Sequence, residues 1–358
     1  MEKKLYCIFA YAFLISITFL MLSCVAKQPM SLATDQTALL SLKQHITSDP
    51  SLLLATNWTN STSVCSWIGV TCSLRHRRVA ALNLSNMALS GTIPPQLGHL
   101  SFLVSLDLTS NHFHGDLPQE LSLLRRLKFI SFRLNNFTGD FPLMFCQLPK
   151  LEYLNLRNNS FIGSIPNSLS NLTNLQFLDL TSNSLSGEIP SAIFNISTLV
   201  SIGLTGNELS GSLPTDMCSN LPFLTRIYLS YNQLSGAIPT NISQCSRLEV
   251  LSISNNSFSG QIPSEMGYIT SLQGLYLGGN NLNGSLPHEI GNLQNLVTFG
   301  VEQNEISSDF SIFMNMSSLQ NINLWRNKFT GILPREVGNI TMLTNLQLQE
   351  NHFTGMTE

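Results

Sequence analysis

Asn111, Asn135, Asn159, Asn183 and Asn207 stand 24 residues apart. Each closes one nine-residue frame, Leu-x-x-Leu-x-Leu-x-x-Asn, as in Leu103-Val104-Ser105-Leu106-Asp107-Leu108-Thr109-Ser110-Asn111. The frame continues through Asn232, Asn256, Asn280, Asn304, Asn327 and Asn351, and its spacing slips by one residue twice. A unit this short cannot bury its own apolar face, so a fixed period specifies a stack in which each unit covers the next. The Leu-x-Leu pair alternates inward and outward as a strand does. Twelve units run from Val79 to about Gly355. Their parallel strands would form one curved sheet of roughly 55 Å along its arc, at about 4.8 Å per strand. The frame Asn turns inward, where its amide can serve backbone groups of the neighbouring coil; each such group costs about 1–3 kcal/mol if left unmade. Met87 takes its place in the first unit, as an end unit permits. A stack of this kind offers a long surface suited to binding.

Composition narrows the functions. The net charge is −3 and charged residues make up 11% of the 358, so neither nucleic acid nor an anionic membrane surface is indicated as a partner. His288-Glu289 lacks the second His of a zinc protease helix, and no G-x-S-x-G, phosphate loop or kinase signature is present. The expectation is therefore a non-enzymatic chain with no cofactor and no metal, its Asp and Glu residues mostly solvated surface.

The N-terminus and the cysteines set the compartment. Lys3 and Lys4 precede an apolar run from Leu5 to Leu22, and Cys24-Val25-Ala26 ends on a small residue, a pattern similar to a secretory leader over 1–26. Its alternative is an uncleaved membrane anchor. Asn-x-Ser/Thr acceptors stand at Asn57, Asn60, Asn83, Asn136, Asn158, Asn171, Asn195, Asn241, Asn255, Asn283, Asn315 and Asn339, a density that fits a secreted glycoprotein. Cys65-Ser66-Trp67-Ile68-Gly69-Val70-Thr71-Cys72 lies just before the first unit, where a stack needs a cap over its exposed core. A disulfide between Cys65 and Cys72, with Trp67 packed on the first unit, would supply it. Metal binding is the alternative for close cysteines, but no second Cys/His pair sits nearby. Upstream, Thr34 to Ile46 reads as a helix with Asp35 as N-cap and Ala38, Leu39, Leu42 and Ile46 on one face; Ser48-Asp49-Pro50 starts a second turn. Cys146, Cys218 and Cys245 fall on the return arcs of three units. Cys218 and Cys245 could bridge, but are expected instead as small buried apolar residues.

The second half of the unit carries a family resemblance. Leu89-Ser90-Gly91-Thr92-Ile93-Pro94 recurs as Leu185-Ser186-Gly187-Glu188-Ile189-Pro190 and Leu234-Ser235-Gly236-Ala237-Ile238-Pro239, and ten of the twelve units keep a Gly-x-(Ile/Leu/Phe)-Pro form. This element resembles the plant-type leucine-rich repeat, and the C-x-W-x-G-V-x-C cap matches that family's N-terminal motif. The resemblance implies an α/β solenoid: a right-handed superhelix with a parallel concave β-sheet, a second short sheet on its flank and a disulfide-bonded N-terminal helical cap. The expected organisation is a leader over 1–26, a cap over 27–78 and twelve repeats over 79–358. The wording of the repeats is similar to ectodomains of plant leucine-rich-repeat receptor-like kinases, in the subfamily of the flagellin and rice bacterial-blight receptors. That implies a peptide or microbial-pattern ligand, a leucine-rich-repeat co-receptor, and a place at the plasma membrane, or in the apoplast for a chain ending here. The rival is a soluble cell-wall inhibitor of microbial polygalacturonases, whose C-terminal cysteine cap has no counterpart. Two departures stand out. Repeat ten reads Glu305-Ile306-Ser307-Ser308-Asp309-Phe310, without Gly or Pro, where the stack is expected to bend or open. The chain stops within repeat twelve, so an N-terminal fragment, a truncated gene model or a decoy form is expected.

Specificity would lie in the outward strand positions. Phe129, Tyr153 and Phe177 share one outward slot in three consecutive repeats, and Arg133 and Arg157 stand one column over, placed to grip a carboxylate or sulfate together. The alternative is that these aromatics merely stack across strands. A second outward group is Arg226, Tyr228, Tyr276, Glu302, Trp325 and Arg326.

Overall fold

The computed structural model describes residues 31–356, so the expected leader lies outside the described residues. The concave sheet begins with a cap strand, Val70–Cys72, antiparallel to the first repeat strand, Val79–Asn83. Eleven further strands follow in parallel and in sequence order, ending at Asn345–Gln347. Between successive concave strands the chain leaves through a short flank strand and, except in repeat six, returns by a single 3-10 turn, such as Asn167–Asn171 after Pro166. The Leu and Ile residues of the frame fill one continuous core along the stack. A phenylalanine spine runs through part of it, with Phe113, Phe137 and Phe161 stacked at 6.2 and 6.4 Å.

The frame asparagines join the coils. Asn280, 8% exposed, donates from Nδ2 to the Ile253 carbonyl of the previous repeat and to the Leu277 and Gly278 carbonyls of its own. Its Oδ1 accepts the Phe258 N–H of the previous repeat at 3.0 Å. The same arrangement holds from Asn111 to Asn351. Each residue just before a frame Asn takes a left-handed turn, as Ser182 does at φ 55°.

The cap differs from its sequence reading in two ways. Helix α1 spans Leu32–His45 with Ser31 as N-cap, whose N–H is accepted by Thr34 Oγ1 at 3.2 Å. Asp35 is therefore not the cap. Its carboxylate is fully buried, takes Nε and Nη2 of Arg78 at 2.7 and 2.6 Å, and accepts the Val79 N–H. Sequence reasoning assigned it locally because its partner lies 43 residues away. Helix α2, Leu53–Asn57, is capped by Asp49, which accepts the N–H groups of Leu53, Leu54 and Ala55. Cys65 and Cys72 are joined by a disulfide, and Trp67 stacks on Trp58 with centroids 5.4 Å apart. Gly69, at φ 76°, lies against repeat one so closely that a Cβ would sit 2.3 Å from the Asn83 carbonyl oxygen.

The remaining cysteines also depart from expectation. Cys218 and Cys245 form a disulfide between the return arcs of repeats six and seven, with Cα atoms 5.2 Å apart. Both are buried as expected of small apolar residues, but adjacent return arcs bring equivalent positions within bonding reach. Cys146 is a buried free thiol, and burial pushes its pKa up, so it stays protonated.

Repeat ten interrupts the flank sheet without opening the stack: Lys328 and Thr330 donate their N–H groups to the Ile306 and Ser308 carbonyls, each at 2.9 Å. Its concave strand, Thr298–Gly300, pairs with both neighbours. On the flank, the sheet of repeats four to ten ends at Glu305–Ile306 and a separate pair begins at Thr330–Leu333. Asp309 starts the return turn here by accepting the Ser311 N–H, replacing the missing Gly and Pro, and Phe310 fills the core. A second flank interruption falls between repeats three and four, bridged only at Asp140 and Ile162.

Two stability outcomes follow from these contacts. Asn280→Ala leaves the Phe258 N–H without an acceptor and should cost about 1–3 kcal/mol in chemical denaturation. Asp35→Ala removes the carboxylate that pairs with the buried Arg78 guanidinium and should cost about 3–5 kcal/mol, read through the fluorescence of Trp58 and Trp67 in the cap.

Candidate functional site: a groove in the concave sheet

Parallel, in-register pairing sets equivalent outward residues of successive repeats side by side. In the column that starts at Phe129, Tyr153 and Phe177 follow, then Ser201 and Arg226. The three rings stack at 4.5 and 4.4 Å with interplanar angles of 13° and 5°. Such offset aromatic pairs contribute about 0.5–1.5 kcal/mol each beyond their burial. The stack ends at Ser201, which has no ring to continue it. In the next column Gly203 precedes Tyr228, and Ser252 separates Tyr228 from Tyr276. Small residues thus leave a hollow between large ones.

The hollow is a groove of about 830 Å³ reaching from repeat four to repeat ten. Phe177, Tyr228 and Tyr276 give it apolar faces, and Arg157, Arg226, Asp179 and Glu302 give it charge. Six residues singled out from sequence therefore meet in one place: Arg157, Phe177, Arg226, Tyr228, Tyr276 and Glu302. Their two sequence-level groups prove to be ends of a single groove.

The other candidates lie outside its lining. Phe129 and Tyr153 are the first two rings of the stack. Arg133 is exposed, while Arg157 turns its Nε toward Asn158 Oδ1 at 3.2 Å, so only one of the two arginines reaches the groove. Trp325 donates its indole N–H to Glu350 Oε1 at 3.3 Å, and Arg326, at φ 54°, also faces Glu350. Those two side chains point to repeat twelve. Arg226 is itself paired with Glu249 at 2.9 Å.

The expected solvated role of acidic residues fails at this site. Asp179 is only 8% exposed, and its Oδ1 accepts the Thr181 N–H at 3.0 Å. Gly203 on the next strand leaves room for it: a Cβ there would lie 2.9 Å from Oδ1. Tyr231, 63% exposed, and Ser201 also line the groove and were not anticipated. The signal available in the sequence was negative, namely glycine and serine at outward strand positions.

Glu302 has its pKa raised, first by burial of its carboxyl and against a smaller lowering from a hydrogen bond to its own backbone. The folded chain therefore holds this proton more tightly than the unfolded chain. Stability from this group is full below the ordinary glutamate value and is lost as pH rises through the higher folded value. Glu302→Gln should accordingly melt at a higher temperature than wild type at pH 7.5, and the gain should vanish in melts at pH 3.5.

The potential glycan sites divide by face. Asn171, Asn195 and Asn339 end return turns on the convex side and are exposed. Asn57, Asn60 and Asn315 are exposed too, as are Asn136 and Asn283 on the flank. Asn241 is half-buried and accepts the Cys218 N–H at 2.7 Å. Asn83 and Asn158 lie on the concave side, and Asn255 lines the groove itself. Among the described residues, no cluster of His, Cys, Asp and Glu could hold a metal ion.

A parallel concave sheet, an inward asparagine ladder and a capped N-terminus define a leucine-rich-repeat protein. The family model for the leucine rich repeat N-terminal domain matches residues 32–73, and leucine rich repeat models match 125–185, 223–245, 247–269, 271–293 and 318–340. The chain is similar to the LRR receptor-like serine/threonine-protein kinase EFR of Arabidopsis thaliana, 39% identical over 94 residues, which is 26% of this chain and 9% of that protein. It is 44% identical over 82 residues to the receptor kinase-like protein Xa21 of Oryza sativa subsp. japonica, 22% of this chain and 8% of that one. Among solved structures, the Arabidopsis receptor kinase HAESA, in complex with the peptide hormone IDA and the co-receptor SERK1, superposes with a TM-score of 0.81. That match has 30% identity and covers 90% of this chain and 54% of that one. The chain belongs to the leucine-rich-repeat family and is similar to plant receptor kinases, though its aligned segments span under a tenth of the two relatives named.

Proposed function

We propose that this chain is the extracellular ligand-recognition region of a plant receptor-like kinase, and that its concave groove takes an extended peptide. The observation that carries the reading is the groove itself, where Phe177, Tyr228 and Tyr276 provide apolar faces beside Arg157 and Glu302. Aromatic anchors beside charged groups are the composition of a protein-binding hot spot. The similarity to a receptor kinase ectodomain that holds a peptide hormone and a co-receptor supports the same use of the surface. Residues 1–26 would act as the secretory leader, and some of the exposed Asn-x-Ser/Thr sites would carry glycans. In the complete protein, ligand and co-receptor would together stabilise a paired state that neither stabilises alone.

The test is binding of the secreted chain to pathogen-derived and plant secreted peptides, with polygalacturonases as a second panel. Tyr228→Ala and Tyr276→Ala should each weaken peptide binding about 30-fold, the effect of a hot-spot loss near 2 kcal/mol. Unchanged affinity in both variants would remove the groove from the reading. Binding to a polygalacturonase with loss of its activity would reassign the chain as an inhibitor.

A further inference from the structure

The end of the groove at repeats nine and ten is built differently from the rest. Glu302 lies over two glycines, Gly278 of repeat nine and Gly300 of its own repeat. A Cβ at Gly278 would fall 2.3 Å from its carboxyl carbon, and one at Gly300 would fall 3.0 Å from Oε2. The carboxylate therefore rests on bare backbone in a seat that alanine at either position would fill. Tyr276 lies on the neighbouring strand in register with Gly300, two residues before Glu302 on the same face. Its ring is laid back over Gly274, where a Cβ would meet Cε2 at 2.8 Å, and it keeps 37% of its surface exposed.

The charges nearby are already satisfied or distant. Arg226 is engaged by Glu249 at 2.9 Å, and Arg326 faces Glu350. None of the described ion pairs includes Glu302. Burial has raised its pKa, which is the cost of a desolvated carboxylate with no cation beside it. A ligand cation would remove that cost. It would also lie against an aromatic face, an arrangement that attracts ammonium and guanidinium groups.

We propose that Glu302 and Tyr276, floored by Gly274, Gly278 and Gly300, form a subsite for a cationic group of the bound peptide: a lysine, an arginine or a free amino terminus. This rests on the groove being a peptide site. Arg157 at the repeat-four end is six strand spacings away, about 29 Å, which an extended chain crosses in roughly eight or nine residues. The preferred ligand thus carries an anionic group over repeat four and a cationic group over repeat ten.

A random dodecapeptide library selected on the secreted full chain tests this. Wild type should enrich peptides with Lys or Arg at one fixed position, and Glu302→Gln should lose that preference. One enriched peptide should bind Glu302→Gln at least tenfold more weakly than wild type. Its norleucine-substituted form should bind both proteins alike. Thermal melts at pH 7.5 check folding, since the Gln variant should be no less stable than wild type. Enriched peptides with no basic position, or a basic preference that survives in Glu302→Gln, would overturn the subsite and leave the peptide groove standing. A library from which nothing enriches would overturn the groove reading and this one with it.

Discussion

Each coil after the first carries an inward asparagine whose amide makes hydrogen bonds to two successive repeats. At Asn159, Nδ2 reaches the Phe132 carbonyl behind it and the Leu156 carbonyl of its own repeat, while Oδ1 takes the Phe137 N–H. The carbonyls sit where the chain leaves the concave strand, and the Phe137 N–H lies in the flank strand Asn136–Phe137. An apolar residue in place of Asn would leave them unpaired in a dry interior, at a cost that recurs in every repeat. The ladder also sets the separation and register of the coils. Every outward column, and hence the groove, inherits its geometry from it.

The groove is made as much by missing side chains as by present ones. An uninterrupted column of aromatics packs against itself, as Phe129, Tyr153 and Phe177 do. Such a column buries the surface a ligand would use. Ser201, Gly203 and Ser252 break the columns, so Tyr228 and Tyr276 stand apart with free edges. The left-handed turn before each frame Asn borders this surface, and Tyr231 at φ 56° and Asn255 at φ 54° both line the groove. The glycines beneath Asp179 and Glu302 give each carboxylate a place to fold down.

Repeat ten shows how local rules and stacking share control. The flank sheet stops after Glu305–Ile306 in the repeat that lacks Gly and Pro, where Asp309 starts the return turn instead. The concave strand stays in register nonetheless, held by its own pairing and by Asn304, which donates to the Leu277 and Val301 carbonyls. The concave face is thereby insulated from the interruption on the flank. The Cys218–Cys245 disulfide ties the return arcs of repeats six and seven, beneath the middle of the groove.

Periodicity alone determined the repeat, its strand, its inward Leu and Asn positions and the parallel order, since each follows from a regular spacing that every coil must satisfy. The outward identity of Phe177, Tyr228 and Tyr276 was legible for the same reason, and the cap's cysteines from their local spacing just before the first repeat. What required the tertiary structure was every relation between residues that share no period. Asp35 looks like a helix cap until Arg78 is brought to it from 43 residues away. Cys218 and Cys245 read as apolar filling until adjacent arcs place their Cα atoms 5.2 Å apart. Arg133 and Arg157 look equivalent in sequence, yet only Arg157 lines the groove, which begins at repeat four, one repeat beyond Arg133. A column position says which face a side chain leaves from. Where its end comes to rest depends on the neighbours on adjacent strands, and those are set only when the coils stack.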